Sequence, residues 1–444
     1  MTGPGVAIDL TDLDAFTHGF PHEAFQELRR AQPVWWHEPT SHTPEGEGFW
    51  VLSRYEDILA VATDSTTFSS DGSTCRADRG GGGGTLIEDL PGGFAAGVLL
   101  NMQDDPRHQR IRSLVTPAVT PRALTALEPE LRARTHQIVG DAVDKGEVDF
   151  VLDVAAELPL QAIAHLMGVP QEDRHQLFAW ANVTLDHDHD HDHDHDHDHA
   201  HAHAHGEPDR AALESDRVAN DRVANDRAVQ ASAGMFAYAA ELIAAKRAHP
   251  DDGIISRVIH GSAGADPLTE LELQMFFNLL IAAGSETTRN TITAGLLALI
   301  EHPAQWRRLQ DDRSLLPSAA DEMLRWASST TYNRRTATAA TTVQGHPIAV
   351  GDKVTLWWPS ADFDDAAFER PSTFAVDRHP NRHLAFGHGT HFCLGAALAR
   401  MEIALVFDAL LERVAAFDLT GPPEWTRSNK HTGFRHLPIR LHPR

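Results

Sequence analysis

Cys393 stands in Phe386-Gly387-His388-Gly389-Thr390-His391-Phe392-Cys393-Leu394-Gly395, ahead of Leu394, Leu398, Met401 and Leu405 at helical spacing. A sulfur at or near a helix N-terminus meets backbone N–H groups, so a lowered thiol pKa is expected, and with it a nucleophile or a metal ligand. Gly387 and Gly389 allow a turn without Cβ atoms that can press flat against a broad planar group, while Gly395 permits close approach on the other side. A second chemical stretch is Ala283-Gly284-Ser285-Glu286-Thr287-Thr288, which sets a carboxylate and a hydroxyl in the middle of a long helical pattern. Glycine in a helix interior costs roughly 1 kcal/mol against alanine, so Gly284 calls for a local reason. His108 and Arg112 share one helix face, as do Glu322 and Arg325. Taken alone, the first pair reads either as an anion grip or as a solvated basic face.

These residues need elements to hold them. Thr269-Glu270-Leu271-Glu272 is a capping box that opens a helix to about Ile300, some thirty residues and about 45 Å long. Asp105-Pro106 starts the helix that carries His108 and Arg112. Leu127, Leu131, Ile138, Val139 and Ala142 form one apolar stripe, and a further helix ends near Gly168 and Pro170. Phe49–Leu52 reads as a strand before a helix around Ile58–Val61, and Val343, Ile348–Val350 and Val354–Trp358 read as short strands around the Gly351-Asp352 turn. The five glycines from Gly80 to Gly84 read as a mobile loop.

The signature F-G-x-G-x-x-x-C-x-G resembles the haem-ligand loop of the cytochrome P450 family, and the likeness extends from about Phe49 to the end of the chain. It implies the cytochrome P450 fold, mostly α with a small β-region and a single domain over 1–444, holding haem b (iron protoporphyrin IX) with Cys393 as the axial thiolate. It also implies that His108, Arg112, Arg335 and His391 grip the haem propionates, and that Phe386, Gly387 and Gly395 shape the cofactor loop. Ala283 and Gly284 would leave a small gap and a bent helix backbone for O₂, with Glu286 and Thr287 relaying protons. Arg378 matches the third member of a buried charge network with Glu322 and Arg325. Lys430–Phe434 matches a turn that dips into the pocket, and the 80–84 region lies over it. Between Arg325 and Arg335 the family usually has proline and apolar residues. This chain has Ser328-Ser329-Thr330-Thr331-Tyr332-Asn333-Arg334, and Thr330, Thr331, Asn333 and Arg334 suggest polar groups on the substrate.

The implied reaction is insertion of one oxygen atom of O₂ into a hydrophobic small molecule, by hydroxylation or epoxidation. Stretches such as Leu158–Ile163 look like members acting on steroids and terpenoids, with secondary metabolites as the close competitor. No flavin or iron–sulfur motif occurs in the chain, so electrons are expected from a ferredoxin and a ferredoxin reductase. Alternatives are a peroxygenase or non-oxygenating haem-thiolate enzyme, against which Glu286-Thr287 argues, and a metal buffer working through histidines.

A formal charge of -25 disfavours nucleic acid as a partner. No run of 18 apolar residues and no leader-like N-terminus point to a membrane anchor or export signal, and Cys75 and Cys393 are the only cysteines. A cytoplasmic location is expected. Asp186 to His205 alternates Asp-His and then Ala-His, with ten of the 29 histidines. With nothing to bury, it is expected to be a disordered insertion in the lid, either a metal-capturing tract or a repeat expansion in a tolerant loop. The five-residue repeat from Asp216 to Arg227 follows it with helical propensity.

Overall fold

The computed structural model describes residues 8–93, 95–185, 210–261 and 267–444. Its axis is the helix Glu270–Glu301, opened by the expected capping box: Thr269 Oγ1 accepts from Glu272 N, and a Glu272 carboxylate oxygen accepts from Thr269 N at 2.8 Å. This long helix is apolar nearly all round because it is buried nearly all round. Its N-terminal half, through Leu273, Phe276, Phe277 and Ile281, joins an apolar cluster with the helices Arg107–Val115, Glu157–Met167, Arg174–Leu185 and Arg210–Ala248. Its C-terminal half, through Ile292, Leu296, Leu297 and Leu299, packs with Pro121–Lys145, Leu316–Ala327 and Ala396–Arg413. Between the two clusters runs the buried polar stretch 285–291, where the long helix has chemistry in place of packing.

A five-stranded sheet flanks the helices, in the order Val34–His37, Phe49–Leu52, Lys353–Trp357, Tyr332–Ala337, Phe68–Ser69. Lys353–Trp357 runs parallel to Phe49–Leu52 and antiparallel to Tyr332–Ala337, with Val354 opposite Arg335. The apolar stripe of 127–142 lies on Pro121–Lys145, the following helix ends at Gly168 in a left-handed cap, and Thr341–Val343 and His346–Ile348 form a small hairpin.

One expectation needs amending. The glycine run is no loose loop, since Gly82–Gly83 pairs with Leu90–Pro91 and a Cβ on Gly83 would lie 2.0 Å from the Asp71 carbonyl. Among the described residues one segment, Asp226–Ala248, is long and apolar enough by length and composition to cross a membrane. One face of it, Met235, Ala239, Leu242 and Ile243, is buried in the cluster around the long helix, which is the spacing of an amphipathic helix on a protein core. The Asp186–His205 tract lies outside the described residues. It falls in the chain between Arg174–Leu185 and Arg210–Ala248, the second of which carries the five-residue repeat. Those two helices pack on each other and on the long helix, and Tyr238 Oη of the second donates at 2.7 Å to Asp173, which immediately precedes the first.

Candidate active site

Gly387 and Gly389 both adopt positive φ, and the loop closes with Cys393 N donating to Phe386 O at 2.9 Å. Gly389 must be glycine because a Cβ there would lie 2.4 Å from the Ala62 carbonyl, so it presses the loop onto the helix Tyr55–Thr63. The Phe386 ring meets Phe392 edge-on, and the Arg400 guanidinium lies 4.7 Å from its centroid. Gly395 caps the helix Ala396–Arg413, and a Cβ on it would sit 3.9 Å from Cys393 Sγ. The cysteine therefore lies just outside the first helical turn.

Cys393 keeps accessible area although protein surrounds it on every side, which is how a residue lining an interior hollow behaves. On the long helix Ala283 is exposed in mid-helix and Thr287, one turn on, is half-buried. Leu394, next to the cysteine, packs against the same cluster as Leu279 and Leu280 of that helix. The expected lowering of the thiol pKa is not found. Burial pushes it up, and the Gly395 N–H, Arg112 and Arg400 only partly offset that. A thiolate here needs a cation on its sulfur.

Four basic groups gather at the rim. His108 is buried with Nδ1 3.2 Å from Asp105 Oδ1, and its ring lies 4.2 Å from that of His391. Burial, then the charges of Arg335, His108 and Arg112, take the His391 pKa down to about 2, and its Nε2 is buried without a hydrogen-bond partner. Burial brings the Arg335 guanidinium down to about 10, with Asp104 the one carboxylate that opposes it. Among the described residues neither Arg112 nor Arg335 has an ion-pair partner. Uncompensated buried cations are costly, so this rim fits a ligand with two carboxylates, as haem b has in its propionates. The sulfur, the glycine loop and the basic rim thus agree on one cofactor.

On the long helix, Thr287 Oγ1 donates to Ala283 O at 2.9 Å. Glu286 is buried with no hydrogen bond or ion pair among the described residues. Thr288 turns away toward the buried Glu402 of the Ala396–Arg413 helix, whose carboxyl burial raises to about 8. Gly284 has a different reason from the one expected. The backbone is helical without a break, and a Cβ on Gly284 would lie 2.9 Å from Ile163 Cδ1, so it is glycine to let the helix Glu157–Met167 pack close.

The polar segment before Arg335 is also a correction. Thr331 is fully buried with its hydroxyl on the Asn429 carbonyl, Asn333 Oδ1 accepts from Trp358 Nε1 at 2.9 Å, and Arg334 is fully buried on Asp89. These groups serve the protein, because the turn 428–433 takes up the hydrogen bond of Thr331, the Trp358 indole that of Asn333 and the Asp89 carboxylate that of Arg334. Asp105 escaped the sequence reading although it holds both His108 and, through Oδ2 at 2.8 Å, the Thr390 hydroxyl of the cysteine loop. Its place three residues before His108 was the available signal. The resemblance puts Lys430 in a turn at the pocket but gives its side chain no role.

Residues 224–433 match the family model described as Cytochrome P450. The chain is 44% identical over 438 residues, 98% of its own length and 97% of the relative's, to a Mycobacterium tuberculosis protein named cytochrome P450 126. It is 35% identical to the steroid C26-monooxygenase of the same species, over 97% of this chain and 92% of that one. Among solved structures, Mycobacterium marinum cytochrome P450 CYP268A2 in complex with pseudoionone superposes with a TM-score of 0.83 at 30% identity, covering 99% of each chain.

Proposed function

The chain belongs to the cytochrome P450 family, an oxidoreductase of the monooxygenase type with the cytochrome P450 fold and haem b as cofactor, and from that premise we propose what its own residues do. It inserts one oxygen atom of O₂ into a hydrophobic molecule of steroid or terpenoid type, taking electrons from a ferredoxin and its reductase. The steroid C26-monooxygenase relative and the pseudoionone-bound neighbour support that substrate class. When bound, haem b supplies the binding and activation of dioxygen at iron.

Cys393 Sγ holds the iron, and His108, Arg112, Arg335 and His391 hold the propionates. Phe386, Gly387 and Gly395 fix the sulfur, while Ala283 leaves room beside the long helix. The observation that carries the reading is the opening in the long helix at the exposed Ala283, with the half-buried Thr287 one turn on and Glu286, buried and without a hydrogen bond or ion pair among the described residues, beside it. Thr287 Oγ1 hands on a proton when its O–H leaves the Ala283 carbonyl, and Glu286 restores it.

The test is a pair of variants with opposite signatures. Cys393→Ser loses the red-shifted band that carbon monoxide gives with reduced thiolate-ligated haem, while Cys75→Ser keeps it. Thr287→Ala keeps the band and substrate binding, but releases more hydrogen peroxide and less product per reductant consumed. Unchanged coupling in Thr287→Ala overturns the proton role.

A further inference from the structure

We propose that Lys430 is the polar anchor of the substrate chamber and receives the carboxylate of a substrate that carries one. The inference rests on reading the hollow above Cys393 as the chamber for haem and substrate. Its starting point is where the turn 430–433 is fixed. Thr331 N donates to Lys430 O at 3.0 Å, Thr432 N donates to Ser329 O at 2.7 Å, and Thr330 bridges His431. Gly433 comes so close to the long helix that a Cβ on it would lie 2.5 Å from Asn290 Nδ2. Asn290 is three residues past Thr287, roughly 4.5 Å along the helix axis. The turn is thus pinned between the strand of Arg335 and the proton-handling turn of the long helix.

The Lys430 side chain has bonding capacity left over. Nζ donates to the Tyr332 carbonyl at 2.6 Å and stands 4.5 Å from the centroid of the Tyr332 ring. An ammonium has three N–H bonds, and among the described residues this one has a single acceptor. No carboxylate among them pairs with it, and the charge that acts on it is another cation, Arg335. Burial, and then Arg335, bring its pKa down to about 7.

Lys430 is half-buried on a turn held against the long helix, and it lies near enough to Arg335 for the two charges to act on each other. A buried cation beside a second cation is unfavourable unless an anion joins them. Arg335 has the cofactor's propionate. Lys430 has none assigned, and a substrate carboxylate would both use a free N–H and restore the full positive charge. With that end held at the turn, the apolar body of the substrate lies along Leu279, Leu280 and Ala283, and oxidation falls away from the carboxylate.

The competing source of a carboxylate is a haem propionate, and the experiment separates the two. Haem-loaded wild type, Lys430→Met and Lys430→Arg are titrated at neutral pH with two matched pairs, dodecanoate and methyl dodecanoate, and 5β-cholanate and its methyl ester. The readout is the substrate-induced shift of the haem band. In wild type at least one acid should bind about tenfold or more tighter than its ester. The ratio should collapse to about twofold or less in Lys430→Met and persist in Lys430→Arg, with haem content unchanged in both. No acid preference in wild type, or no shift from either acid, overturns the proposal without use of any variant. So does a preference that survives Lys430→Met. Loss of haem in the variants assigns Lys430 to a propionate and overturns it too. The carbon monoxide band of wild type reports the haem-thiolate reading separately, so failure of one is not failure of the other.

Discussion

Around Glu322 every charge taken out of water is matched by groups of its own helix and of the segment 375–381, whereas around Asp89 the charges come from five separated segments of the chain and the carboxylates stay partly wet. Glu322 Oε2 accepts from Arg325 Nε at 2.8 Å, Arg378 Nε at 2.9 Å and Asn381 Nδ2 at 3.2 Å, and Oε1 accepts from Arg325 Nη2 and Ala375 N at 2.9 Å. Arg325 gives its remaining N–H bonds to the carbonyls of Asp362, Pro371 and Thr373, with the rings of Trp326, Phe363 and Phe368 around it. Asp89 receives Arg334 Nη1 and Arg76 Nη2 at 2.7 Å each, with Lys353 Nζ 3.6 Å away, and Lys353 also reaches Glu45 at 3.0 Å and Glu47 at 3.5 Å. Its three cations are buried, but the side chains of Asp89, Glu47 and Glu45 are 11%, 25% and 41% exposed. One network is sealed and saturated and fixes the chain leading to Cys393. The other overlaps, so that Asp89 and Glu47 each have further cations to fall back on.

The comparison breaks most readily at Glu322. Glu322→Gln leaves Arg325 and Arg378 without their counter-charge in a dry site, a loss of about 3–5 kcal/mol. Urea unfolding of the haem-loaded protein should show it, or no folded haem protein should accumulate. A loss under about 1 kcal/mol would mean that water reaches this network after all.

Arg334→Met should cost less, about 1–3 kcal/mol, because Asp89 keeps Arg76 and Lys353 and because Arg334 Nε is a buried donor with no acceptor to lose. Its effect should also shrink with added salt, since the carboxylate edge is open to solvent, while that of Glu322→Gln should not. Equal losses and equal salt dependence would erase the distinction.

The same contrast explains what could be seen without coordinates. Glu322-x-x-Arg325 is local, and the glycine spacing around Cys393 fixes a loop by backbone conformation alone, so both were legible. The capping box at Thr269 was legible for the same reason. The Asp89 cluster joins positions up to 308 residues apart, and only the sheet register that sets Arg334 opposite Thr355 brings them together. Thr331 and Asn333 looked like substrate contacts because their hydrogen-bond partners, Asn429 and Trp358, arrive from elsewhere in the chain. Lys430 was legible as part of a turn at the pocket, but its ammonium had no spacing pattern to give it a role. Gly284 was rightly singled out as anomalous, but its neighbour Ile163 lies on another helix.

The smallest effect, and the sharpest one, is the response to acid. Burial by itself would raise the pKa of Asp89, but Arg334, Arg76 and Lys353 outweigh it and hold the group below its ordinary 3.8. Glu47, buried against Arg76, Lys353 and Arg79, likewise stays below its ordinary 4.5. A depressed carboxylate contributes stability that is complete above its unfolded pKa, here from about pH 5.5 upward, and is lost as pH falls through the folded value. Beside the other network the sign is reversed. Asp362, whose carbonyl takes Arg325, has its carboxyl raised to about 6 by burial, against an ordinary 3.8 and despite the amide of Leu384 at 2.6 Å. The folded state then holds a proton that the unfolded state has released, so this contribution is complete below pH 3.8 and is lost as pH rises through about 6. Between pH 6 and 4.5 the two regions therefore pull in opposite directions. Asp362→Asn should make stability fall more steeply on acidification over that range, and Asp89→Asn should make it fall less steeply below it. Urea midpoints at pH 6.5, 5.5, 4.5 and 4.0 for the two variants and wild type give the slopes, and slopes shifted in the same direction by both substitutions would show that the two networks are not electrostatically distinct.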